Sequence, residues 1–252
     1  MPVKTNPNTK GKKPSERAAV RIARKLVREI QRRGLRPGAR LVSEHIMVEK
    51  FGVARATIRE ALRFLELQGA LRIKAGPGGG PVVSVPGAGH LASVLSLHLQ
   101  FTDASFSSVI DARRAIYPLL AYQAAENATR DDIATLQESI ARMHTGVRDL
   151  DLFTEEARRF MSLVAAASGN RVLAVLVDAL HRMSEAVGNA WDEKQRRLAL
   201  ANYEKVIREI EVGEAEQARE IMEKSLAAAA RYWQRTAPDE LKKRVAWIDS
   251  DH

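Results

Sequence analysis

Apolar residues recur at intervals of three and four along most of the chain, which is the spacing of helices that turn one face to a core. The clearest example is residues 55–68, where Ile58, Ala61, Leu62 and Leu65 form one stripe. Further helices are predicted over residues 14–33, 44–51, 90–102, 105–127, 130–147, 149–168, 170–190, 194–212 and 214–236. Strand-like alternation is confined to residues 40–85, so the chain is predicted to be mainly α.

Two short alternating stretches follow the helix at 55–68 and enclose a glycine-rich loop. Leu71–Lys74 and Pro81–Val85 are predicted strands, with residues 75–80 as the loop between them. A short edge strand is expected near Arg40–Val42, and Ser43 is expected to cap the next helix. This order predicts an N-terminal winged helix-turn-helix domain of three helices and a small β wing, followed by an all-α helical bundle.

Composition suggests where the domains begin and end. Residues 1–13 are polar and basic with little to bury, which predicts a disordered arm. Residues 86–89, Pro-Gly-Ala-Gly, are predicted to be a linker because proline and glycine do not sustain a helix. The winged domain is therefore expected over residues 14–85, the all-helical domain over 90–236 and a C-terminal tail over 237–252.

Charge is distributed unevenly between these parts. Residues 1–89 contain 19 Lys and Arg against 6 Asp and Glu, a net charge of +13, whereas residues 90–252 carry a net charge of −4. A basic first third indicates double-stranded DNA as a partner. An anionic membrane surface is ranked far lower, because the basic region has no amphipathic helix with aromatic anchors.

Three arginines spaced by four, Arg55, Arg59 and Arg63, form a second stripe on the helix at 55–68. A helix fits the DNA major groove, where arginine can contact guanine through two hydrogen bonds or neutralise a phosphate. Three arginines on an arbitrary helix are more often a solvated charged face. The helix-turn-helix context and the following wing favour DNA.

This region resembles the DNA-binding domain of the GntR family of bacterial transcription regulators. The residues that carry the resemblance are Gly52-Val53, Arg55, Thr57, Arg59-Glu60-Ala61-Leu62, Leu65-Glu66, Gly69 and Gly76. The resemblance implies operator DNA as ligand, with Arg55 and Arg59 at bases or phosphates and Thr57 at a phosphate. Arg63, Lys74 and the wing glycines Gly78 and Gly79 complete the expected contact set.

Two positions depart from the family pattern. His45 stands where the family usually has arginine, and a base-reading role and a solvated surface role are equally open for it. Ala54 replaces the Ser or Thr that the family has before the helix at 55–68, which removes a side-chain cap typically worth ~1 kcal/mol. These changes concern which bases are read.

The helical second half resembles the C-terminal domain of the FadR-like branch of the same family, which implies a small-molecule effector and a homodimer. The resemblance spans about residues 15–236 and is carried in this half by Asp111–Pro118, Arg158–Met161, Ala167–Asn170, Tyr203–Ile207 and Gly213–Ala218. Most members of that branch hold a divalent metal with one Asp and three His. The matching positions here are Ala157, Met161, Tyr203 and Ser225, so no metal and no other cofactor is predicted.

The same resemblance implies an effector site formed by Arg113, Tyr117, Met161, Tyr203 and Ser225. Arg113 could anchor a carboxylate or phosphate, and the loss of metal ligands favours a hydrophobic carboxylate or acyl compound. A sugar acid is the alternative. Each of these residues could instead be ordinary core, with Arg113 paired to a neighbouring acid.

Other functional classes find little support in the sequence. We find no P-loop, GxGxxG or GxSxG motif and no cysteine, so an enzyme is not predicted. No secretory signal and no apolar run of ~20 residues is present, which favours a cytoplasmic location without a membrane segment. The sequence therefore predicts a homodimeric transcription regulator, most simply a repressor, with an architectural DNA-binding protein lacking an effector as the alternative.

Overall fold

The chain divides into two compact units with a boundary after Gly87. The structure, a computed structural model, describes residues 14–76, 78–185 and 191–249. The predicted basic arm at residues 1–13 lies outside the described residues. No helix in the described ranges is both long and apolar enough to cross a bilayer.

The described part of the first unit contains three helices and one hairpin. They are α1 (Pro14–Arg32), α2 (Glu44–Phe51), α3 (Arg55–Leu67), β1 (Leu71–Lys74) and β2 (Gly80–Val83). The strands pair antiparallel, with Leu71 opposite Val83 and Lys74 opposite Gly80. A core formed by α1, α2, α3 and β1 includes the predicted stripe of α3: Ala19, Ile22, Ala23, Leu26, Met47, Ile58, Ala61, Leu62, Leu65 and Leu71.

Local details of this unit differ from the prediction. The second wing strand begins at Gly80 and ends at Val83, and the edge strand is reduced to a bridge between Arg40 and Val82. Ser43 has the extended backbone of an N-cap but makes no capping hydrogen bond, and the same is true of Ala54. Gly52 ends α2 with a φ of 61°, a left-handed conformation that L side chains disfavour.

The helices and strands assigned in the described part of the second unit are all helices. Its helices are α4 (Ala88–Phe101), α5 (Phe106–Asn127), α6 (Arg130–Gly146), α7 (Leu150–Ala167), α8 (Arg171–Glu185), α9 (Glu193–Val212), α10 (Ala215–Thr236) and α11 (Pro238–Lys242). The predicted linker at 86–89 is therefore shorter than expected, because α4 already begins at Ala88. Residues 186–190, predicted to end the helix at 170–190, lie outside the described residues.

Recognisable caps explain why these helices begin and end where they do. Thr129 and Asp132 exchange hydrogen bonds in a capping box at the start of α6. Asp149 caps α7, Asp192 caps α9, and Gly213 ends α9 with a left-handed φ of 79°.

Helix α5 packs against α7, α8, α9 and α10. A large apolar cluster surrounds it and contains residues such as Leu120, Phe160 and Val206. A second cluster joins α4, α5 and α8 through residues such as Ala92, Phe106 and Leu180.

The predicted C-terminal tail packs against this second cluster. Val245 is buried, and its backbone NH donates to the carbonyl of Ala104 at 2.9 Å. Trp247 donates from its ring nitrogen to Ser93 on α4 at 3.0 Å. Residues 245–248 therefore form a strap along α4 that the sequence analysis did not predict, whereas α11 packs against α5 and α10.

Candidate functional site

The exposed face of α3 presents the predicted arginine stripe. The side chains of Arg55 and Arg59 are 69% and 61% exposed, and Arg63 is exposed as well. The Nε atoms of Arg55 and Arg59 lie 3.5 and 3.0 Å from Oε2 of Glu44, the first residue of α2. Two cationic side chains are thus gathered on one surface of the helix-turn-helix by a single carboxylate.

The other residues predicted to contact DNA in the helices have different environments. His45 is exposed and lies 3.2 Å from Glu49, one turn along α2. Thr57 is only 9% exposed, because it belongs to the face of α3 that packs inward. The structure thus offers little Thr57 surface for a phosphate.

The wing has a tightly folded tip. Lys74, Gly78 and Gly79 are all exposed there. A Cβ atom added to Gly79 would lie 2.3 Å from the Lys74 carbonyl oxygen, so this position accepts glycine alone without a shift of the backbone. Arg40 is exposed too, and its guanidinium would lie 3.7 Å from a Cβ atom at Gly78. Arg40 is a basic wing residue that sequence analysis placed in an edge strand without assigning it a role.

A cavity of about 220 Å³ lies within the second unit, between α5, α7, α8, α9 and α10. Its walls are largely apolar and include Phe106, Ile110, Phe153, Met161, Trp191, Leu198, Leu226 and Trp233. Three arginines, Arg113, Arg114 and Arg158, also line it, whereas none of the described lining residues is acidic. The cavity therefore combines apolar walls with guanidinium groups, of which that of Arg114 is paired with Asp111 at 3.2 Å.

Arg113 on α5 is held at the cavity by uncharged groups. Its Nη2 lies 2.9 Å from Nδ1 of His181, and its Nη1 donates to the Ser184 hydroxyl at 3.1 Å. The guanidinium also lies over the ring of Tyr117, 5.7 Å from the centroid. Its Nε is buried and finds no hydrogen-bond acceptor among the described residues. A part-buried guanidinium that has no carboxylate partner among the described residues is suited to receive an anion from outside.

His181 is neutral in this environment. Burial, together with the charges of Arg113 and Arg158, holds the pKa of His181 well below its usual value. Because a guanidinium only donates, Nδ1 of His181 must accept, which places the ring proton on Nε2. His181 thus holds Arg113 in position without neutralising it.

The structure brings four of the five predicted effector residues to the cavity: Arg113, Met161, Tyr203 and Ser225. Tyr203 stacks on Phe160 with ring centroids 4.8 Å apart, and Ser225 accepts a hydrogen bond from Asn202 at 3.3 Å. Burial raises the pKa of Tyr203 to about 12, so its hydroxyl keeps its proton and can donate.

Tyr117 does not line the cavity. It is fully buried one helical turn beyond Arg113, and its hydroxyl has no partner among the described residues. This position, outside the cavity-lining residues, does not favour the expectation that Tyr117 would hydrogen-bond an effector. The ring instead supports the guanidinium of Arg113 from behind the cavity wall.

The four positions matched to metal ligands, Ala157, Met161, Tyr203 and Ser225, all line this same cavity. They offer a methyl group, a thioether, a protonated phenol and a hydroxyl, which is not a donor set for a zinc-like cation. Across the described ranges, no three His, Asp or Glu side chains are grouped as a metal site. These residues therefore do not fit the metal that the resemblance implies.

Sequence analysis missed several residues of the cavity. His181 and Ser184 stand one turn apart on α8 and both hold Arg113, while Arg158, Asn202, Trp191 and Trp233 complete the walls. The spacing of His181 and Ser184 is a weak signal by itself. Only the packing of α5 against α8 gives it meaning.

Family comparisons agree with both units. The model described as bacterial regulatory proteins, gntR family, matches residues 18–80, and the FCD domain model matches residues 108–228. The chain belongs to the GntR family. Its FCD domain contains the cavity-lining residues from Ile110 to Leu226, and its GntR domain contains α2 and α3.

Curated relatives of this GntR protein are transcription regulators by name. The regulator LutR of Bacillus subtilis is 27% identical over 57% of this chain, and the Uxu operon regulator of Haemophilus influenzae is 31% identical over 50%. The galactonate operon transcriptional repressor of Escherichia coli is 27% identical over 60%. The matches span 65%, 45% and 67% of the length of these three relatives, respectively.

A solved GntR structure from Streptococcus agalactiae has the same fold. It superposes with a TM-score of 0.73, covers 85% of this chain and 99% of its own, and is 22% identical. The fold predicted for this GntR protein, a winged helix-turn-helix followed by a helical domain, is therefore confirmed.

Proposed function

We propose that this GntR-family protein is a homodimeric repressor that binds operator DNA through α3 and the wing and is modulated by an anionic, largely apolar effector in the FCD-domain cavity. The observation that carries the effector assignment is Arg113, which lines the cavity and whose guanidinium is hydrogen-bonded, among the described residues, to the uncharged side chains of His181 and Ser184. The DNA assignment is supported by Arg55 and Arg59, exposed together on α3.

Operator reading would use the arginine face of α3. A helix of this kind enters the major groove, where each bidentate arginine contact contributes about 1–3 kcal/mol of discrimination between bases. Arg63 would extend the contact towards a phosphate, and Lys74, Gly78 and Gly79 would carry the wing to an adjoining groove. Exposed His45 stands beside this surface and would contact the DNA next to it.

The effector would be held at two ends. Its carboxylate would lie at Arg113, and its apolar body would fill the space beside Met161 and Trp233. Tyr203 and Ser225 would provide hydrogen bonds at the other wall. A hydrophobic carboxylate or acyl compound satisfies both ends, because the walls are mostly apolar.

A sugar acid remains the second candidate for two reasons. One relative is named as a galactonate operon repressor, and galactonate is a sugar acid. Asn202 and Ser225 form a polar pair on the cavity wall that could accept hydroxyl groups. Both candidates share the carboxylate that Arg113 would bind, and they differ in what fills the remaining volume.

Homodimerisation follows from the needs of operator binding. One winged helix reads a short half-site, so useful selectivity over non-specific DNA requires two copies on a palindrome. The second unit exposes apolar side chains that could form the contact, among them Val94, Phe101 and Val172. The effector could alter DNA affinity only by binding one arrangement of the dimer more tightly than another.

Operator binding can be tested with the double variant Arg55→Ala/Arg59→Ala. Duplexes selected from a random library by the wild-type protein serve as the probe, and binding is measured by fluorescence anisotropy. The variant should lose at least 100-fold in affinity for the selected duplex and keep its circular dichroism spectrum. Lys205→Ala/Arg208→Ala, which removes two positive charges from the second unit, should bind as wild type. Equal binding by both variants would exclude α3 as the reading helix.

The effector assignment is tested by thermal shift with octanoate, galactonate and neutral octanol. A ligand at 100 times its dissociation constant stabilises the fold by ~2.7 kcal/mol. Octanoate should stabilise wild type but not Arg113→Gln. Arg114→Gln is the matched control, because Arg114 already pairs with Asp111 at 3.2 Å. A response to octanol equal to that of octanoate would contradict a carboxylate anchored at Arg113.

A further inference from the structure

Glu44 occupies an unusual place for an acidic residue, because it lies on the surface that the proposed function assigns to DNA. One oxygen, Oε2, lies 3.0 Å from Nε of Arg59 and 3.5 Å from Nε of Arg55. The carboxylate side chain is 30% exposed and belongs to α2, whereas both arginines belong to α3. A phosphate approaching the same arginines would meet this negative charge.

The contact engages the inner nitrogen of each guanidinium. Arginine reads guanine most specifically with two parallel hydrogen bonds, and the two terminal Nη atoms can supply them. Since Glu44 accepts from Nε of both side chains, the terminal nitrogens of Arg55 and Arg59 remain available to base edges. The hydrogen bond from Arg59 lowers the pKa of Glu44, so the carboxylate is ionised at neutral pH.

We propose that Glu44 is a positioning residue for operator selection: its carboxylate fixes the guanidiniums of Arg55 and Arg59 for base reading and weakens their binding to phosphates of arbitrary sequence. The inference rests on the proposed DNA-binding function. Exposed ion pairs contribute little to folding stability. The carboxylate acts instead on the selection between DNA sequences, because that selection depends on the geometry of the two guanidiniums and on the repulsion of phosphates.

Neutralising Glu44 should therefore change two measurable quantities. Non-specific binding is governed by phosphate contacts, and each additional phosphate neutralised changes the slope of log K against log salt by about −0.9. In Glu44→Gln the two guanidiniums are free to turn to phosphates, so this slope should become steeper by about one such contact. Affinity for a scrambled duplex should rise about 3- to 10-fold at 50 mM salt, following the same counterion release.

Selectivity should fall at the same time. Losing the fixed orientation of one bidentate contact corresponds to roughly a tenfold loss of discrimination. The ratio of affinities for the selected and scrambled duplexes should therefore fall about tenfold or more in Glu44→Gln. Glu44→Ala, which removes the acceptor oxygen as well, should lower the ratio at least as far.

The experiment measures the affinity of the full chain for the selected and the scrambled duplex at 50, 100 and 200 mM salt. The proteins compared are wild type, Glu44→Gln, Glu44→Ala and Glu60→Gln. Glu60 is the matched control, because it is an exposed carboxylate on α3. Among the described residues, Arg55 and Arg59 form their ion pairs with Glu44 and not with Glu60. Thermal unfolding of each variant shows whether the fold is kept. Selection from a random library is repeated with Glu44→Gln to report base preference.

Each outcome decides the proposal. Lower selectivity and a steeper non-specific slope in Glu44→Gln, with Glu60→Gln close to wild type, support it. Equal changes in Glu44→Gln and Glu60→Gln would reduce the effect to net charge and overturn it. A changed preference at one base pair, with selectivity otherwise kept, would make Glu44 a direct base contact and overturn it as well. If wild type itself does not distinguish the duplexes, the proposed function fails first.

Discussion

His181 should make the second unit sensitive to acid in a way that can be calculated. Its pKa in the folded protein lies well below the ordinary value of 6.5, because burial and the charges of Arg113 and Arg158 oppose protonation. The unfolded chain binds this proton near pH 6.5 and the folded chain does not. Stability from this group is therefore complete above pH 6.5 and is lost as the pH falls below it towards the folded pKa.

The size of the effect follows from the linkage relation. Between pH 7.5 and 5.5, a histidine that stays neutral in the folded state and titrates at its ordinary pKa when unfolded lowers the free energy of unfolding by about 1.4 kcal/mol. His181→Gln removes this titration while its amide oxygen can still accept from Arg113. The variant should therefore lose up to about 1.4 kcal/mol less than wild type over the same interval, whatever its stability at pH 7.5.

Tryptophan fluorescence isolates the relevant unit. All three tryptophans, Trp191, Trp233 and Trp247, lie in the second unit, so urea unfolding followed by their emission reports that unit alone. The free energy of unfolding is measured at pH 7.5, 6.5 and 5.5 for wild type and His181→Gln. His98→Gln, which removes an exposed histidine from α4, is the control and should follow wild type.

A parallel loss of stability in wild type and His181→Gln would refute the reasoning. It would mean that His181 accepts a proton in the folded state, and so that the hydrogen bond from Arg113 to a neutral imidazole is not maintained. The cavity would then contain a titrating cation beside Arg113, and the proposed anion site would depend strongly on pH.

The remaining predictions concern the first unit and the metal positions. Ala54→Ser should supply the cap that α3 lacks and stabilise the fold by ~1 kcal/mol, seen as a higher midpoint in calorimetry. Gly79→Ala should distort the wing and weaken operator binding. Gly87→Ala should bind as wild type, because an added Cβ there meets nothing within 4 Å. Equal operator binding by the two variants would exclude a contact between the wing and DNA. Elemental analysis of purified protein should find no stoichiometric divalent metal, and one metal per chain would overturn the assignment of Ala157, Met161, Tyr203 and Ser225.

Helix positions could be predicted closely because their signals are local. Thr129 is a recognisable N-cap for α6, and Gly213 is a recognisable stop for α9. The bounds of both helices were predicted to within one residue. The strap at residues 245–248 could not be predicted, because backbone and side-chain hydrogen bonds to Ser93 and Gln100 fix it on α4. Contacts over about 150 residues of chain leave no local pattern.

The cavity could be predicted only in part for a similar reason. Arg113 and Tyr117 are one turn apart, and sequence alone does not show that the first reaches the cavity while the second lies behind it. His181 and Ser184 could not be assigned at all, because their role exists only where α8 packs on α5. A residue that holds another residue in position has no motif of its own.

The charge of the cavity and the character of its metal positions are connected. A metal-binding relative, as the family resemblance implies, could hold an acidic effector by its cation, but Ala157 and Met161 supply no comparable charge. Arg113 brings a positive charge to the cavity wall, and His181 holds Arg113 without cancelling that charge. A guanidinium fixed by neutral partners keeps its affinity for a carboxylate, whereas one paired with Asp or Glu would lose it. The uncharged partners of Arg113 are therefore as important to the proposed effector site as Arg113 itself.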